Sequence, residues 1–468
     1  MHESRHIYDR FKQMVDIQKK KVALSYKDQQ YTYEESNNIV NSLAEKMKKD
    51  WGIKEGDVLG LLMPNSIEFV FSLLAGLKLG AIIAPFNIRL SEQELRRVVE
   101  VAEPKRTLTI EEYKPFYQYF PDIEIVGSLP SLDGNSHFTE EGTSNQKNGA
   151  FLIFTSGTTG PPKGALIRHE GVLHAVRSYH ECMATSDNSS TLIAVPMFHV
   201  TGLIGQLLHV LLIGGKVRIM EKFSTNKMLA ELRSFQPSIL FNVPTIYQML
   251  IREINYQYTF SFVQTVAYGG APAGEQMIHQ LKMLFPNAEL HNTYGATETS
   301  SPTAIMPIGR QTEYIKAVGK PISKTKLCVV DEHDKEVEIG TAGELWIKGP
   351  CVIEEYWRND EATKKSKQNG YWKSGDYAML DQEGYLYILD RKKDTINRGG
   401  EKIYSTQIEQ ILNLHDAIEE SAVIGIPDEL FGERVKAFVS LKYEADITEK
   451  EIVTYAKQHL APFKFLKL

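Results

Sequence analysis

Hydrophobic and polar positions along the chain fall into patterns that change three times. Ile39, Val40, Leu43, Ala44 and Met47 recur at helical spacing on one face. The apolar run 58–63 follows the Gly56-Asp57 turn and stops at Pro64-Asn65, which predicts a strand. The most apolar stretch, 67–85, carries Glu68 and Lys78 and is interrupted by Gly76 and Gly80. It predicts a buried helix followed by a strand, not a membrane span. Between 104 and 149 the pattern weakens, and 140–148 is polar enough to be a loop.

From 191 to 294 the alternation is regular. Strands are predicted at 191–195, 216–220, 238–242, 263–268 and 289–294, with helices at 202–213, 226–235, 244–252 and 275–285 between them. Pro244 sits in a first helical turn, where its missing N–H costs nothing. Such alternation argues for parallel sheet flanked by helices, with ligands bound beyond the carboxyl ends of the strands. After 317 short β-like pieces at 326–331, 343–349 and 385–390 predict a small barrel or antiparallel sheet. Beyond Asp390 come a charged segment, a Gly-Gly pair, helices at 406–414 and 449–460, and strands at 422–426 and 435–441. The expected fold class is therefore α/β. A large N-terminal domain, 1–391, holds parallel-type sheets, flanking helices and a small β-barrel, and a small α+β C-terminal domain, 392–468, follows.

Composition narrows the class. At 468 residues the chain exceeds one ordinary core, and 42% hydrophobic with 24% charged residues is globular usage. A net charge of −6 without a basic stripe gives no footprint for nucleic acid. Cys182, Cys328 and Cys351 lie far apart and form neither a metal spacing nor a disulfide framework, so a reducing compartment is expected. The first ten residues lack the apolar core of a signal peptide. A cytoplasmic chain without a transmembrane segment is the expectation.

The candidate chemistry centres on residues 155–164, T-S-G-T-T-G-P-P-K-G. Thr155, Ser156, Thr158 and Thr159 supply hydroxyls, Lys163 a charge. Gly157, Gly160 and Gly164 let successive N–H groups turn inward into an anion-binding nest. Together they fit a polyphosphate. No Walker signature occurs, and the flanks read strand–loop–strand, not strand–loop–helix. This loop resembles the phosphate-binding loop of the adenylate-forming superfamily, which includes acyl-CoA and aryl-CoA synthetases, amino-acid-activating peptide-synthetase domains and luciferases.

Further pieces match that superfamily in order. Residues 195–202 read V-P-M-F-H-V-T-G. A lone His after an apolar strand is more often structural than catalytic, but the resemblance places His199 at a carboxylate pocket. Val200 stands where amino-acid-activating members usually carry an Asp for the substrate ammonium. Burying an ammonium without a carboxylate is costly, so a plain carboxylic acid, fatty or aryl, is favoured. Val200, Thr201, Gly202 and Gly205 are expected to leave room beside His199, and Gly269 is a further expected residue of the substrate pocket. Gly270, Ala271 and Pro272, then Asn292, Thr293, Tyr294, Gly295, Ala296 and Thr297, resemble the family's adenine pocket, with Tyr294 as a flat face. Glu298 is a hard oxygen ligand suited to Mg²⁺. Asp376 matches the ribose-binding aspartate, although Ser374 replaces the usual Thr two residues before it. Arg391 matches a nucleotide-contacting arginine, and Lys393 the hinge of the small domain. Gly399, Gly400, Glu401 and Lys402 match a loop lining a pantetheine tunnel.

The resemblance spans nearly the whole chain and implies an AMP-forming acid–CoA ligase acting in fatty-acid or aryl-acid metabolism. Thr155, Lys163, His199 and Glu298 are its expected catalytic residues. ATP, Mg²⁺ and coenzyme A are its expected cofactor set. An acyl carrier protein is the alternative acceptor. One departure stands out. Family members continue into a Gly-Lys segment whose lysine serves adenylation, while this sequence ends on P-F-K-F-L-K-L. The small domain is thus expected to be truncated, which leaves a non-catalytic acyl-adenylate or nucleotide binder as a further alternative.

Overall fold

The computed structural model describes residues 6–116, 123–126, 148–155, 162–254, 258–399, 401–443 and 445–460. They form two compact units: Met1–Lys326 with Lys348–Asn369, and Leu327–Ile347 with Gly370–Leu468.

Two sheets organise the first unit. The larger has nine strands, in the order Lys320–Pro321, Ala304–Ile305, Glu289–Tyr294, Thr265–Gly269, Ile239–Asn242, Ser190–Ile193, Lys216–Ile219, Val22–Tyr26 and Gln29–Thr32. Its central strands, from Glu289–Tyr294 across to Val22–Tyr26, run parallel. The predicted alternation of 191–294 is this sheet with its helices. One face packs Leu240, Val266, Tyr268 and Leu290 against Leu232, Tyr247, Leu250 and Leu281 of the helices Thr225–Phe235, Pro244–Ile254 and Glu275–Leu284. The other face packs Ile193, Phe241 and Ala267 against Val172, Val176, Tyr179, Leu203 and Leu207. A strand buried on both faces needs apolar residues at consecutive positions, which is why I-L-F reads as a run and not as an alternation.

The second sheet of this unit has six strands, in the order Ile123–Ile125, Arg106–Thr109, Val58–Leu61, Ile82–Pro85, Gly149–Thr155 and Lys163–Arg168. The helix Ile67–Lys78 before Ile82–Pro85 is buried along nearly its whole length. Ser66 caps it by accepting from the Phe69 N–H. The helix Tyr33–Lys49 starts on a capping box between Thr32 and Glu35 and buries Ile39, Val40, Leu43, Ala44 and Met47, as their spacing predicts.

One element differs from its prediction. The segment expected as a single helix over 202–213 is a π-helix, Thr201–Leu208, followed by one α-helical turn, His209–Leu212. Apolar spacing cannot separate the two, because both bury a continuous stripe. π-Turns are rare and frequently lie at functional sites.

Lys326–Val330, Gly343–Lys348, Tyr371–Leu380 and Leu386–Arg391 form an antiparallel sheet, one of the two forms expected of these pieces, and the second unit holds it together with the C-terminal segment. A four-stranded sheet, Glu401–Ile403, Ile396–Arg398, Gly432–Leu441 and Ile418–Asp428, packs on the helices Ser405–Leu412 and Glu449–His459 through Ile396, Ile408, Leu412, Val423, Val435, Ile452 and Ala456. No described helix is long and apolar enough to cross a membrane.

Candidate active site

The strands Gly149–Thr155 and Lys163–Arg168 pair antiparallel with Thr155 opposite Lys163, so the glycine-rich loop closes a hairpin. Ser156, Gly157, Thr158, Thr159 and Gly160 lie outside the described residues. Lys163 at the hairpin's exit places its ammonium 5.6 Å from the centre of the Tyr356 ring. The Tyr356 hydroxyl donates to Oε1 of Glu298 at 2.9 Å. One tyrosine therefore joins the lysine of the loop to the candidate metal carboxylate. Tyr356 is held in turn: it bridges Ala165, and the Trp357 N–H donates to Gly164 O at 2.7 Å. The sequence reading missed Tyr356, since nothing in E-E-Y-W-R marks it. Only the pairing of this segment along the Lys163–Arg168 strand brings it to the site.

Glu298 lies in the 3-10 turn Thr297–Thr299, directly beyond the strand Glu289–Tyr294. Thr299 braces that turn by accepting from the Ala296 N–H at 2.9 Å, and the Ile353 N–H donates to Glu298 O at 2.8 Å. No group of three or more His, Cys, Asp or Glu side chains that could cage a metal exists among the described residues. A single carboxylate beside a phosphate loop suits Mg²⁺, which prefers one or two carboxylates plus substrate phosphates to an all-protein cage. The donor set present thus fits the ion.

The strands Thr265–Gly269 and Glu289–Tyr294 pair in parallel with Gly269 opposite Thr293. A Cβ at Gly269 would stand 2.2 Å from Thr293 O and 2.4 Å from its Oγ1. Only glycine allows the two strand ends to approach this closely. Gly270, at φ +80°, then turns the chain, leaving Ala271 and Pro272 exposed. Asn292 donates from Nδ2 to Ala317 O at 3.2 Å, and Thr293 Oγ1 donates to Tyr268 O at 3.1 Å. Tyr294, Gly295, Ala296 and Thr297 are half-buried at the strand's end. These loops share the carboxyl edge of one sheet, where the alternation placed them.

His199 follows the strand Ser190–Ile193 and precedes the π-helix, and its side chain is exposed. Desolvation by its surroundings, then the charge of Arg89, lowers its pKa, so the imidazole is neutral at pH 7. Asn65 fixes this loop from the other sheet. Its Nδ2 donates to Val195 O at 2.9 Å and Met220 O at 3.2 Å, and its Oδ1 accepts from the Met197 N–H at 2.8 Å. Val200 is buried among apolar residues, while Thr201 is half-buried. The room expected at Gly202 and Gly205 does not exist. A Cβ at Gly202 would lie 2.5 Å from Pro196 O, and one at Gly205 2.7 Å from the Phe241 ring. Both glycines serve close packing of the π-helix.

The second unit carries the remaining candidates. Asp376 and Arg391 face each other across paired strands, Nε to Oδ1 at 3.0 Å. Ser374 Oγ accepts from the Asp376 N–H at 3.0 Å and donates to Leu345 O at 2.7 Å, so serine serves where threonine is usual. Lys393 is exposed in a turn. Gly399, at φ +61°, donates its N–H to Phe431 O at 2.7 Å, and Gly400 lies outside the described residues. Glu401 and Lys402 open the strand Glu401–Ile403, with Lys402 Nζ donating to Tyr377 OH at 3.0 Å. Asp390, unmarked in sequence, accepts from the Ser405 N–H at 2.6 Å and Oγ at 2.9 Å and from Thr406 Oγ1 at 3.2 Å. It ties the end of the strand Leu386–Arg391, three residues before the hinge candidate, to the start of the helix Ser405–Leu412.

Residues 11–357 match the family model "AMP-binding enzyme", and residues 407–467 match "AMP-binding enzyme C-terminal domain". The chain is 30% identical to 2-succinylbenzoate–CoA ligase of Geobacillus kaustophilus, covering 88% of this chain and 83% of that protein. It is 28% identical to 4-coumarate–CoA ligase-like 8 of Arabidopsis thaliana, covering 92% and 82%. Among solved structures, o-succinylbenzoate CoA synthetase (MenE) of Bacillus subtilis with its acyl-adenylate intermediate superposes at TM-score 0.87 and 27% identity, covering 97% of this chain and 92% of that one. ATP-bound MatB of Rhodopseudomonas palustris does so at 0.90 and 25%, covering 99% and 94%. With both family models matched, one of them over residues 11–357, the chain belongs to the AMP-binding enzyme family, the adenylate-forming enzymes its glycine-rich loop resembles.

Proposed function

We infer that this enzyme is an AMP-forming acid–CoA ligase. A carboxylate oxygen attacks the α-phosphorus of ATP, giving an acyl-adenylate and pyrophosphate, and the thiol of coenzyme A then displaces AMP to leave a thioester. The observation that carries the reading is the Lys163–Tyr356–Glu298 array at the mouth of the glycine-rich hairpin. It sets a cation over the ring of Tyr356 and an anion at its hydroxyl, opposite charges that suit a polyphosphate and its Mg²⁺.

The residues then have distinct tasks. Lys163 and the Thr155 hydroxyl stabilise charge on phosphate oxygens, and fixed donors of this kind act without reorganising as charge grows. Glu298 would hold Mg²⁺, which supplies charge neutralisation on the phosphates. Gly269 to Pro272 and Asn292 to Thr297 form the adenine edge, while Asp376 accepts from the ribose hydroxyls with Arg391 beside it. His199, neutral at pH 7, borders the acid's carboxylate without forming a fixed ion pair. Val200 offers no anion for an α-ammonium, so acids without an α-amino group are the substrates. Lys393 is the pivot between residues 1–391 and 392–468, and Gly399 to Lys402 line the path of pantetheine.

The test is pyrophosphate and AMP release over a panel of alkanoic, aryl and amino acids, with and without coenzyme A. Thioester formation from alkanoic or aryl acids without a carrier protein is expected. Pyrophosphate exchange with amino acids alone would refute the reading.

A further inference from the structure

The geometry points to an acyl site closed after one layer of side chains, so that the enzyme takes short alkanoic and single-ring aryl acids and rejects long-chain fatty acids. This rests on the ligase reading and sharpens it. The strand ends Gly269 and Thr293 sit at the sheet's carboxyl edge on one face. Two residues earlier, on the same face, Phe241, Ala267 and His291 lie side by side in register. One such step along a strand is about 7 Å. A chain entering at the level of Gly269 therefore reaches this second row after about five or six carbons.

That row is shut by the π-helix. Gly205 lies so close to Phe241 that a Cβ there would fall 2.7 Å from one ring carbon and 3.1 Å from the next. Carbon atoms need about 3.5–4.0 Å, so no methylene passes between helix and ring. Phe241 cannot swing aside either. Tyr179 stacks edge-on against it at 5.7 Å and is fully buried. The Tyr179 hydroxyl is hydrogen-bonded to Ser301 Oγ at 2.8 Å, and its ring lies on His209 at 5.3 Å. His209 is itself fixed by Thr185 Oγ1 at 2.9 Å and Gly205 O at 3.2 Å. Gln206 Nε2 donates to the Phe241 carbonyl, pinning the backbone. The floor is thus a braced wall of Phe241, itself buried, with Tyr179 packed against it.

The experiment measures kcat/KM by pyrophosphate release for butanoate, hexanoate, benzoate, dodecanoate and hexadecanoate. Acyl-sulfamoyl adenosines of six and twelve carbons, read by thermal shift, report the same selectivity without turnover. Dodecanoate is expected at least about 100-fold below hexanoate, a discrimination of roughly 3 kcal/mol. Phe241→Ala is expected to raise the dodecanoate-to-hexanoate ratio at least tenfold, and its melting curve checks that it folds. Comparable use or binding of six- and twelve-carbon acyl groups by the parent would overturn the proposal. So would a folded Phe241→Ala protein whose ratio is unchanged. Binding of the hexanoyl analogue over the dodecanoyl one, with no turnover of any acid, would support the closed site while refuting the ligase reading.

Discussion

Replacing Tyr356 with Phe removes one oxygen and keeps the ring under Lys163. The hydroxyl donates to Glu298 Oε1 at 2.9 Å, and Tyr356 is buried. A hydrogen bond to a charged group contributes roughly 1.5–3 kcal/mol. Glu298 is partly solvated, so water replaces part of the loss and the low end applies. About 1.5 kcal/mol corresponds to roughly tenfold in the adenylation rate. Glu298→Gln removes the charge itself and is expected to cost about 10²–10³, as for other single groups stabilising a reacting centre. Since the hydroxyl acts through the carboxylate, the double variant should be little worse than Glu298→Gln alone. The coupling between the two sites should then be on the order of 1 kcal/mol. Single-turnover acyl-adenylate formation, titrated with Mg²⁺, measures all four corners, and Tyr356→Phe should raise the Mg²⁺ needed for half-maximal rate. A Tyr356→Phe enzyme with parental rate and Mg²⁺ dependence, or strictly multiplicative effects in the double variant, would refute the linkage.

Other consequences follow from the same geometry. Gly269→Ala places a methyl 2.2 Å from Thr293 O, so it should destabilise by about 1–3 kcal/mol through overpacking and raise KM for ATP, both visible by melting and steady-state kinetics. Asn65→Ala breaks three buried hydrogen bonds, two to the loop before His199 and one to Met220 O. It should lose about 2–4 kcal/mol in denaturant unfolding and raise KM for the acid more than for ATP. Burial lowers the pKa of His6 to about 4 and of His209 to about 3, from an ordinary value near 6.5. In this depressed direction, full stability is present above pH 6.5 and falls as the unfolded chain, but not the folded one, takes up protons. Between pH 6.5 and 4 each group should cost about 3 kcal/mol, so the melting temperature should drop steeply there, and His209→Gln should flatten the slope.

Periodicity along the chain determined most of the architecture. The strands and helices of 191–294 were legible because each strand buried on both faces demands an apolar run, and each helix over it demands one apolar stripe. The glycine-rich loop, Glu298, Asp376 and Arg391 stood out as candidates because phosphate, metal and ribose ligands call for particular small or charged residues at short spacing, whereas the pairing of Asp376 with Arg391 came only from the fold. The π-turn at Thr201–Leu208 was not, since its sequence also fits an α-helix. Nor was the role of Tyr356, 58 residues from the carboxylate it touches. Gly202 and Gly205 show the same limit. A glycine in sequence says only that a Cβ is absent, and the fold decides whether that space stays open or is filled by Pro196 and Phe241. Local chemistry is written in adjacent residues, whereas the size of a pocket depends on which distant side chains the sheet register brings to one face.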